Sequence, residues 1–197
     1  MTILIKRRSV LQAGMASGFC LLPTLVGATG SATATETETL NKDINVNKLI
    51  DALQSIGGPV CLDAANKLET VSADSSGFDL HLRSAGVDAH DARVLANAMQ
   101  EMPISSTHHL KSFSASYNPD LKDAGAMALS KSFPSTMTEL GLVGCSIGDE
   151  GGTALLEWAQ QAPSLRMICV EGNNFSSNLR SKFAELGRRH TSLLVVA

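Results

Sequence analysis

The amino-acid sequence predicts an α/β solenoid: a stack of about four strand–helix repeats plus a terminal strand, with a short helical cap at the N-terminal end. Three observations predict this fold class. A strand-like apolar pattern recurs at intervals of about 28 residues, helical periodicity follows each copy, and turn or capping residues separate them. A unit of this size cannot bury its apolar face alone, so the units must stack on one another.

The strand pattern is clearest in three copies that begin at Leu110, Met137 and Leu165. Alternate apolar residues follow the first residue of each copy, and a small side chain comes where the strand ends. These small residues are Asn118, Cys145 and Asn173. One further step predicts a terminal strand from Leu193, with Val196 in the next inward position.

A degenerate copy of the pattern begins earlier, at Gly77, with Leu80 and Leu82 as its inward residues. The interval to the next copy is longer than the others. We therefore expect an insertion in the loop that carries His108 and His109.

Helical periodicity follows each strand pattern. The apolar residues that predict the four helices are Ala92, Leu95, Ala96 and Met99; Ala124, Ala128 and Leu129; Leu155, Leu156 and Ala159; and Leu179, Phe183 and Leu186. Three carboxylates, Asp91, Asp123 and Asp149, are expected just before their helices, where they would accept hydrogen bonds from free N–H groups.

The small residue at each strand exit can bond to backbone groups of the turn. With the alternating strand, this pattern resembles the ribonuclease-inhibitor class of leucine-rich repeats, most closely around Ile147-Gly148-Asp149-Glu150-Gly151. The resemblance covers roughly residues 77–197. It implies a solenoid that binds another protein, as most members of this class do, but it says almost nothing about activity, because fold alone does not establish a role. We do not expect an enzyme, because the possible catalytic arrangements are unfavourable.

Residues 1–34 have the composition of an export signal. Positive charge at Lys6, Arg7 and Arg8 precedes an apolar stretch, which closes on the small residues Ala32 and Ala34. The Arg7-Arg8 pair resembles the twin-arginine motif of bacterial export signals, and a general secretory signal is the alternative. We expect cleavage after Ala34 and a periplasmic or secreted protein without a stable membrane span. Retention of the segment as an anchor is the other possibility.

Three further segments follow the export signal. Residues 35–47 are polar and predict a flexible linker. Residues 48–76 contain two short amphipathic stretches, which predict the helical cap. One has Leu49, Leu53 and Ile56 on its apolar face, and the second has Leu62, Ala65, Leu68 and Val71. Residues 77–197 form the repeat domain.

Charge and aromatic content argue against nucleic acid as a partner. The net charge is −3, and aromatic residues make up 4% of the chain. Binding to a phosphate backbone needs a basic surface, and binding to single strands needs aromatic side chains on which bases stack. We therefore do not expect a nucleic-acid partner, and a protein partner is what the resemblance to leucine-rich repeats implies.

The outward residues of the strands predict the binding surface, because they line the concave side of the sheet in three columns. These residues are Asp79, His81 and Arg83; Ser112, Ser114 and Ser116; Glu139, Gly141 and Val143; and Met167, Cys169 and Glu171, with Tyr117 beside them. Tyr117, Arg83 and Met167 are of the residue types most often important for binding energy.

A small hydrolase that uses Ser114, His81 and Asp79 is the enzymatic alternative. The three side chains are expected on one face of neighbouring strands, but an open sheet offers neither an oxyanion hole nor a pocket that excludes water. Cys169 and His81 are expected three strands apart, roughly 14 Å, which is too far for a catalytic pair. No motif indicates a metal or another cofactor.

The cysteines and glycines have structural interpretations. Cys145 is expected in the turn column and Cys169 on the concave face, which leaves no evident disulfide between them. Gly148, Gly151 and Gly152 lack the lysine of a phosphate-binding loop, so we assign them to repeat packing. Self-association through the terminal strand from Leu193 to Val196 is a third functional possibility, because its edge would be apolar and unpaired.

Overall fold

The computed structural model describes residues 47–70, 77–102, 106 and 109–197. The predicted export signal, with Arg7, Arg8, Ala32 and Ala34, lies outside these residues, as do most of the predicted linker and His108. The helices are α1 (47–56), α2 (Gly58–Glu69), α3 (Ala89–Gln100), α4 (Lys122–Ser130), α5 (Asp149–Gln160) and α6 (Ser177–Arg189). The strands are β1 (Phe78–His81), β2 (Leu110–Ser114), β3 (Glu139–Gly141), β4 (Met167–Cys169) and β5 (Leu194–Val196).

The five strands form one parallel sheet in the order β1-β2-β3-β4-β5. Each of the first four strands is followed by a helix that returns the chain to the start of the next strand, as parallel neighbours require. Leu80, Phe113, Leu140 and Ile168 occupy one register row. The predicted strand–helix repeat is therefore confirmed, and so is the register of this row. At the start of β1 the prediction was wrong, because Phe78, not Gly77, pairs with Leu110 and the register shifts between Phe78 and Asp79.

The register of the last strand differs from the prediction by one residue. Val195, not Val196, pairs with Ile168. The interval between the buried Leu193 and the strand is one residue shorter than in the preceding repeat, where Leu165 lies two residues before β4. Leu193 and Val195 therefore face the helices, and Leu194 and Val196 continue the concave rows.

The core lies between the sheet and the helices. The inward strand residues Leu80, Leu82, Phe113, Ala115, Leu140, Leu142, Ile168 and Val170 are all buried. Phe133 links two repeats, because its ring lies 5.0 Å from that of Phe113 and 5.2 Å from that of Trp158. The indole N–H of Trp158 donates to the carbonyl of Phe133 at 3.1 Å, so its polar atom is satisfied.

Helices α1 and α2 form the predicted cap, with Leu49, Leu53, Cys61 and Leu68 in the core. The assignment of Leu62 to the apolar face was wrong, because Leu62 is 45% exposed. The buried face of α2 instead runs through Cys61, Ala64, Ala65 and Leu68, and this spacing places Leu62 to one side of that face. Val71 lies outside the described residues.

The four repeat helices occupy the predicted segments, with one change in the inward face of α4. Ala124 is exposed, whereas Gly125, Ala126 and Leu129 are buried. Gly125 packs closely against the previous repeat, since a Cβ at this position would lie 3.2 Å from that of Ala92. At this contact Gly125 therefore takes the inward position that was predicted for Ala124.

Within the described part of the chain, no helix is both long enough and apolar enough to cross a membrane.

Candidate functional site

The turns that follow the strands are held by the predicted asparagine column. Asn173 Oδ1 accepts hydrogen bonds from the N–H groups of Cys145 (2.9 Å) and Ile147 (3.1 Å) in the previous repeat. Its Nδ2 donates to the carbonyls of Leu142 and Val170, both at 2.7 Å. One buried carboxamide thus joins two repeats and satisfies four backbone groups.

Asn118 and Cys145 occupy the same column in the two preceding repeats. Asn118 Oδ1 accepts from the N–H groups of Gly86 and Val87, and its Nδ2 donates to the carbonyl of Leu82. The Cys145 thiol donates to the carbonyl of Ala115 at 3.2 Å. Burial raises the pKa of this thiol, which keeps it protonated and able to donate. The structural role predicted for Cys145 is confirmed.

The predicted helix caps act differently from expectation. Asp88, not Asp91, is the N-cap residue of α3, and Asp91 lies in the first turn and bonds back to the Asp88 N–H. Asp123 accepts from the N–H groups of Gly148 (2.9 Å) and Gly151 (2.7 Å) at the start of α5. It therefore caps the helix of the following repeat.

The glycines of this segment make room for the cap between repeats. A Cβ at Gly148 would lie 2.9 Å from Asp123 Oδ2, and one at Gly151 would lie 2.8 Å from Oδ1. A Cβ at Gly152 would lie 2.6 Å from both Phe175 and Leu179. The assignment of these glycines to repeat packing is confirmed by these close approaches.

The concave face has the predicted columns, and each column is one register row of the sheet. Asp79, Ser112, Glu139 and Met167 share one register row, and His81, Ser114, Gly141 and Cys169 share the next. The hydrogen-bond ladder continues beyond the strands, because the N–H groups of Ser84, Tyr117 and Gly144 donate to the carbonyls of Ser116, Val143 and Glu171. The third row, from Arg83 to Glu171, therefore continues the parallel pairing of the strands.

Two residues that were predicted to be exposed on this face, Ser112 and Ser116, are buried. Ser112 is 8% exposed and Ser116 is 3% exposed, so neither presents the surface that a solvent-facing position would give. Ser112 Oγ lies 3.1 Å from His81 Nε2, while Ser116 Oγ accepts from the Val143 N–H at 3.1 Å. Their short side chains bond to neighbours across the sheet.

Tyr117 and Arg83 form the most distinctive feature of this face. Tyr117 is 45% exposed, and the guanidinium carbon of Arg83 lies 4.1 Å from the centre of its ring. This distance is typical of a cation–π contact. The ring also approaches Gly144, where a Cβ would lie 3.4 Å from it. The glycine thus leaves room for the aromatic side chain.

The backbone at Tyr117 is left-handed, with φ of 63°. Gly144 and Gly172 occupy the same repeat position with φ of 61° and 70°, and Ser84 occupies it with φ of 52°. The turn therefore requires this conformation, which costs a bulky side chain roughly 1–2 kcal/mol. A tyrosine stands where two other repeats have glycine, and this difference in the sequence indicates the unusual backbone at Tyr117. We predicted Tyr117 as a binding residue from its residue type alone.

The hydrolase residues are brought close in the sheet but are not bonded as a catalytic group. His81 and Ser114 are register partners, yet His81 Nε2 lies beside Ser112 Oγ and Ser114 Oγ lies 3.4 Å from Ser116 Oγ. Among the described residues, no hydrogen bond joins Asp79 to His81. Ser112 Oγ donates weakly to Glu139 at 3.5 Å, so a carboxylate holds the hydroxyl directly, without an intervening base.

Cys169 lies on the concave face three strands from His81, as predicted. Burial raises the pKa of its thiol, and the nearby charges of Glu171 and Glu139 raise it further. A protonated thiol is a poor nucleophile, so this environment does not activate Cys169. Among the described residues, no group of three or more His, Cys, Asp or Glu side chains could hold a metal ion.

Comparison with known proteins identifies one of the repeats. Residues 134–156, which include β3 and the start of α5, match the family model described as Leucine Rich repeat. A comparison with curated proteins gave no match. The matched segment contains the turn whose N–H groups donate to Asn173 of the following repeat. It also contains the glycines whose N–H groups donate to Asp123 of the preceding repeat. Residues 134–156 are therefore a leucine-rich repeat, within a parallel array of strand–helix units that extends on both sides of it.

Proposed function

We propose that this protein is a non-enzymatic interaction module that binds a partner protein through the concave face of its sheet. Leucine-rich repeats are generally protein-interaction modules, and the strands of this array align their outward residues in rows on one face of the sheet. The observation that carries the proposal is the stacked pair of Tyr117 and Arg83, because an exposed aromatic residue stands in a backbone conformation that favours glycine.

The chemistry of the pair supports a binding role. Tyrosine and arginine are enriched among the residues that dominate binding energy at protein interfaces. The contact with Arg83 orients both side chains before a partner arrives, which lowers the entropy lost on binding. Met167 and Val143, both half-buried, add apolar surface further along the same face.

We further propose that the protein acts outside the cytoplasm. This proposal depends on the sequence of residues 1–34, in which Arg7 and Arg8 precede an apolar stretch and Ala32 and Ala34 provide a cleavage site. N-terminal sequencing of the protein recovered from the producing cell would test it. A mature chain that begins after Ala34 is expected, and an intact N-terminus would contradict cleavage.

The binding function is tested by capture from the envelope and medium of the producing cell, with the protein as bait. The test variant combines Arg83→Glu, Tyr117→Gly and Met167→Ala. Glycine is chosen at position 117 because it accepts the left-handed turn without strain. The matched control is Arg93→Glu, which makes the same charge change at an exposed position of α3, on the helical side of the sheet.

A partner that binds the native protein and the Arg93→Glu control, but not the folded test variant, would support the concave face as the site. Capture of the same partner by all three proteins would overturn it. If the native protein captures nothing, the binding function itself is contradicted. Circular dichroism on each bait establishes that loss of capture does not come from unfolding.

A further inference from the structure

We propose that Arg83 and Tyr117 together form a recognition site for a carboxylate side chain of the partner protein, with an apolar side chain of the partner beside it on Val143. This inference rests on the binding function proposed above and names the chemistry that the concave face recognises. It follows from three observations: a guanidinium with unused donors, an aromatic ring that fixes its position, and the distribution of charge over the three concave rows.

The guanidinium of Arg83 has hydrogen-bond donors that are not used within the described part of the chain. Its carbon lies 4.1 Å from the centre of the Tyr117 ring, yet the Arg83 side chain forms no ion pair and donates no hydrogen bond to a described residue. A guanidinium carries its N–H donors in one plane, so a contact through its face leaves the donors at its edge free. A carboxylate in that plane can accept two parallel hydrogen bonds.

The Tyr117 ring fixes the position of this guanidinium. The backbone of Tyr117 is left-handed, with φ of 63°, and its ring lies close to Gly144, where a Cβ would be 3.4 Å away. On the neighbouring strand, Arg83 follows the buried Leu82, whose N–H donates to the carbonyl of Ser114 at 2.6 Å. Both side chains therefore start from backbone that is held by the sheet or by the turn. Less entropy is lost when a carboxylate binds here than at a freely moving arginine.

Charge on the concave face favours this one position for an acidic side chain. Arg83 is the only lysine or arginine in the three concave rows. The other formal charges in these rows are carboxylates, at Asp79, Glu139 and Glu171. Asp79 lies about 13 Å from Arg83 along the strand, and Glu171 lies about 14 Å from it across the sheet. A carboxylate of the partner is therefore attracted at Arg83 and repelled over the rest of the face.

An apolar side chain of the partner fits beside the carboxylate. In the third row, Ser116 is 3% exposed and lies between Arg83 and the half-buried Val143. The strand spacing places Val143 about 10 Å from the backbone of Arg83, and the guanidinium, which lies over the Tyr117 ring on the intervening strand, is nearer. Residues two positions apart in an extended segment share one face and are about 7 Å apart. The preferred segment therefore has the pattern acid-x-apolar.

The test is an NMR titration of the purified, nitrogen-15-labelled protein with two peptides that are blocked at both ends. One is Thr-Thr-Glu-Thr-Val-Thr-Thr, and the other has glutamine in place of the glutamate, so they differ by a single charge. Peptide concentrations up to the millimolar range detect weak binding. Shifts of the Arg83 Nε–H and of the Tyr117 amide locate the bound peptide on the protein.

The native protein is expected to bind the glutamate peptide at least about tenfold more tightly than the glutamine peptide, because charge-assisted hydrogen bonds are stronger than neutral ones. Arg83→Gln should abolish this preference. The matched control Arg93→Gln, at an exposed position of α3, should leave it unchanged. Arg83→Lys keeps the charge but loses the planar set of donors, so it should retain only a small part of the preference.

Variants of Tyr117 test the role of the ring. Tyr117→Phe keeps the ring over which the guanidinium lies, so it should bind the glutamate peptide as tightly as the native protein does. Tyr117→Gly accepts the left-handed turn but removes the ring, and it should bind this peptide at least about threefold more weakly. Circular dichroism monitors the folding of each variant.

Four results would overturn the proposal. They are no binding of the glutamate peptide to the native protein, equal affinity for the two peptides, an undiminished preference in a folded Arg83→Gln protein, and tighter binding of a peptide with lysine in place of the glutamate.

The capture experiment separates a failure of this inference from a failure of the binding function. If capture is lost in the triple variant but persists with Arg83→Gln as bait, the partner binds the concave face without a carboxylate at Arg83, and only this inference fails. If both baits capture the partner as the native protein does, the concave face is not the binding site, and the inference fails together with the proposed function.

Discussion

At the scale of single residues, Asn118 and Asn173 each use both ends of one carboxamide to join neighbouring turns. The sequence predicted this column because small polar residues recur where strands end, and only a few side chains can both donate and accept there. It did not predict the left-handed backbone of Tyr117, since single-residue conformation follows from the turn that neighbouring repeats impose. The burial of Ser112 and Ser116 was also missed, because burial depends on the size of neighbouring side chains across the sheet.

The first prediction concerns the asparagine column. Asn173→Ala should lower the free energy of unfolding by about 3 kcal/mol, because it leaves the buried N–H groups of Cys145 and Ile147 without a partner. Urea unfolding followed by circular dichroism measures the change. The adjacent Asn174→Ala is the control, since Asn174 is exposed and its side chain has no hydrogen bond within the described residues; it should change stability by less than about 0.5 kcal/mol. A loss below about 1 kcal/mol for Asn173→Ala would contradict the role of the column.

At the scale of elements, the helices begin on caps that come from two sources. Asp88 and Ser176 cap their own helices, whereas the cap of α5 comes from Asp123 in the preceding repeat. The sequence predicted helices correctly because their apolar residues recur at helical spacing. It assigned Asp123 to its own helix because a sequence shows neighbours along the chain, and the accepting carboxylate lies one repeat away.

The second prediction is a double-mutant cycle at this cap. Asp123→Ala should destabilise the protein by about 1–2 kcal/mol, because the first N–H groups of α5 lose their acceptor. Gly148→Ser alone should also destabilise it, since the new Cβ would lie 2.9 Å from Asp123 Oδ2. In combination the serine has space and caps α5 itself, so the two losses should not add.

Chemical unfolding of the four proteins gives the coupling free energy. We expect about 1 kcal/mol of favourable coupling between Asp123→Ala and Gly148→Ser. Additive losses would show that Asp123 does not occupy the space that Gly148 leaves open. Asp120→Ala serves as a control, because Asp120 is an exposed residue in a surface ion pair with Lys122 and should contribute little.

At the scale of the whole molecule, the repeat interval predicted the stack, the strand order and the register of the row from Leu80 to Ile168. It failed at β5, where the last interval is one residue shorter and Val195 takes the inward position. Periodicity predicts the average repeat and does not reveal that one interval is shorter than the others. The concave columns were predictable for the same reason as the register, but the partner is not, because many partners can bind one sheet geometry.

The third prediction concerns acid stability. Hydrogen bonds from the N–H groups of Asp91 and His90 lower the pKa of Asp88, and hydrogen bonds from the backbone and side chain of Ser176 lower the pKa of Asp149. A carboxyl group whose pKa is lower in the folded state stabilises it above the unfolded pKa of about 4, and this contribution is lost as the pH falls through the folded value.

The acid branch of the stability curve should therefore become less steep in a variant with Asp88→Asn and Asp149→Asn. Asparagine keeps an oxygen that can accept the N–H bonds but does not titrate. Urea unfolding at several pH values between 2 and 7 measures the slope. Identical slopes for the native and variant proteins below about pH 4 would contradict the assignment.

The contact of Asp123 with Gly148 and Gly151 also limits how this gene can gain or lose repeats. Loss of the third repeat by recombination would place Asp123 opposite Ser176 and Leu179, the equivalent positions of the fourth. A Cβ at the Gly151 position lies 2.8 Å from the carboxylate, so leucine there would collide with it. The repeats have nearly equal lengths but are not interchangeable. A change in repeat number must therefore be accompanied by substitutions on both sides of the new junction, which favours a fixed order of units over many generations.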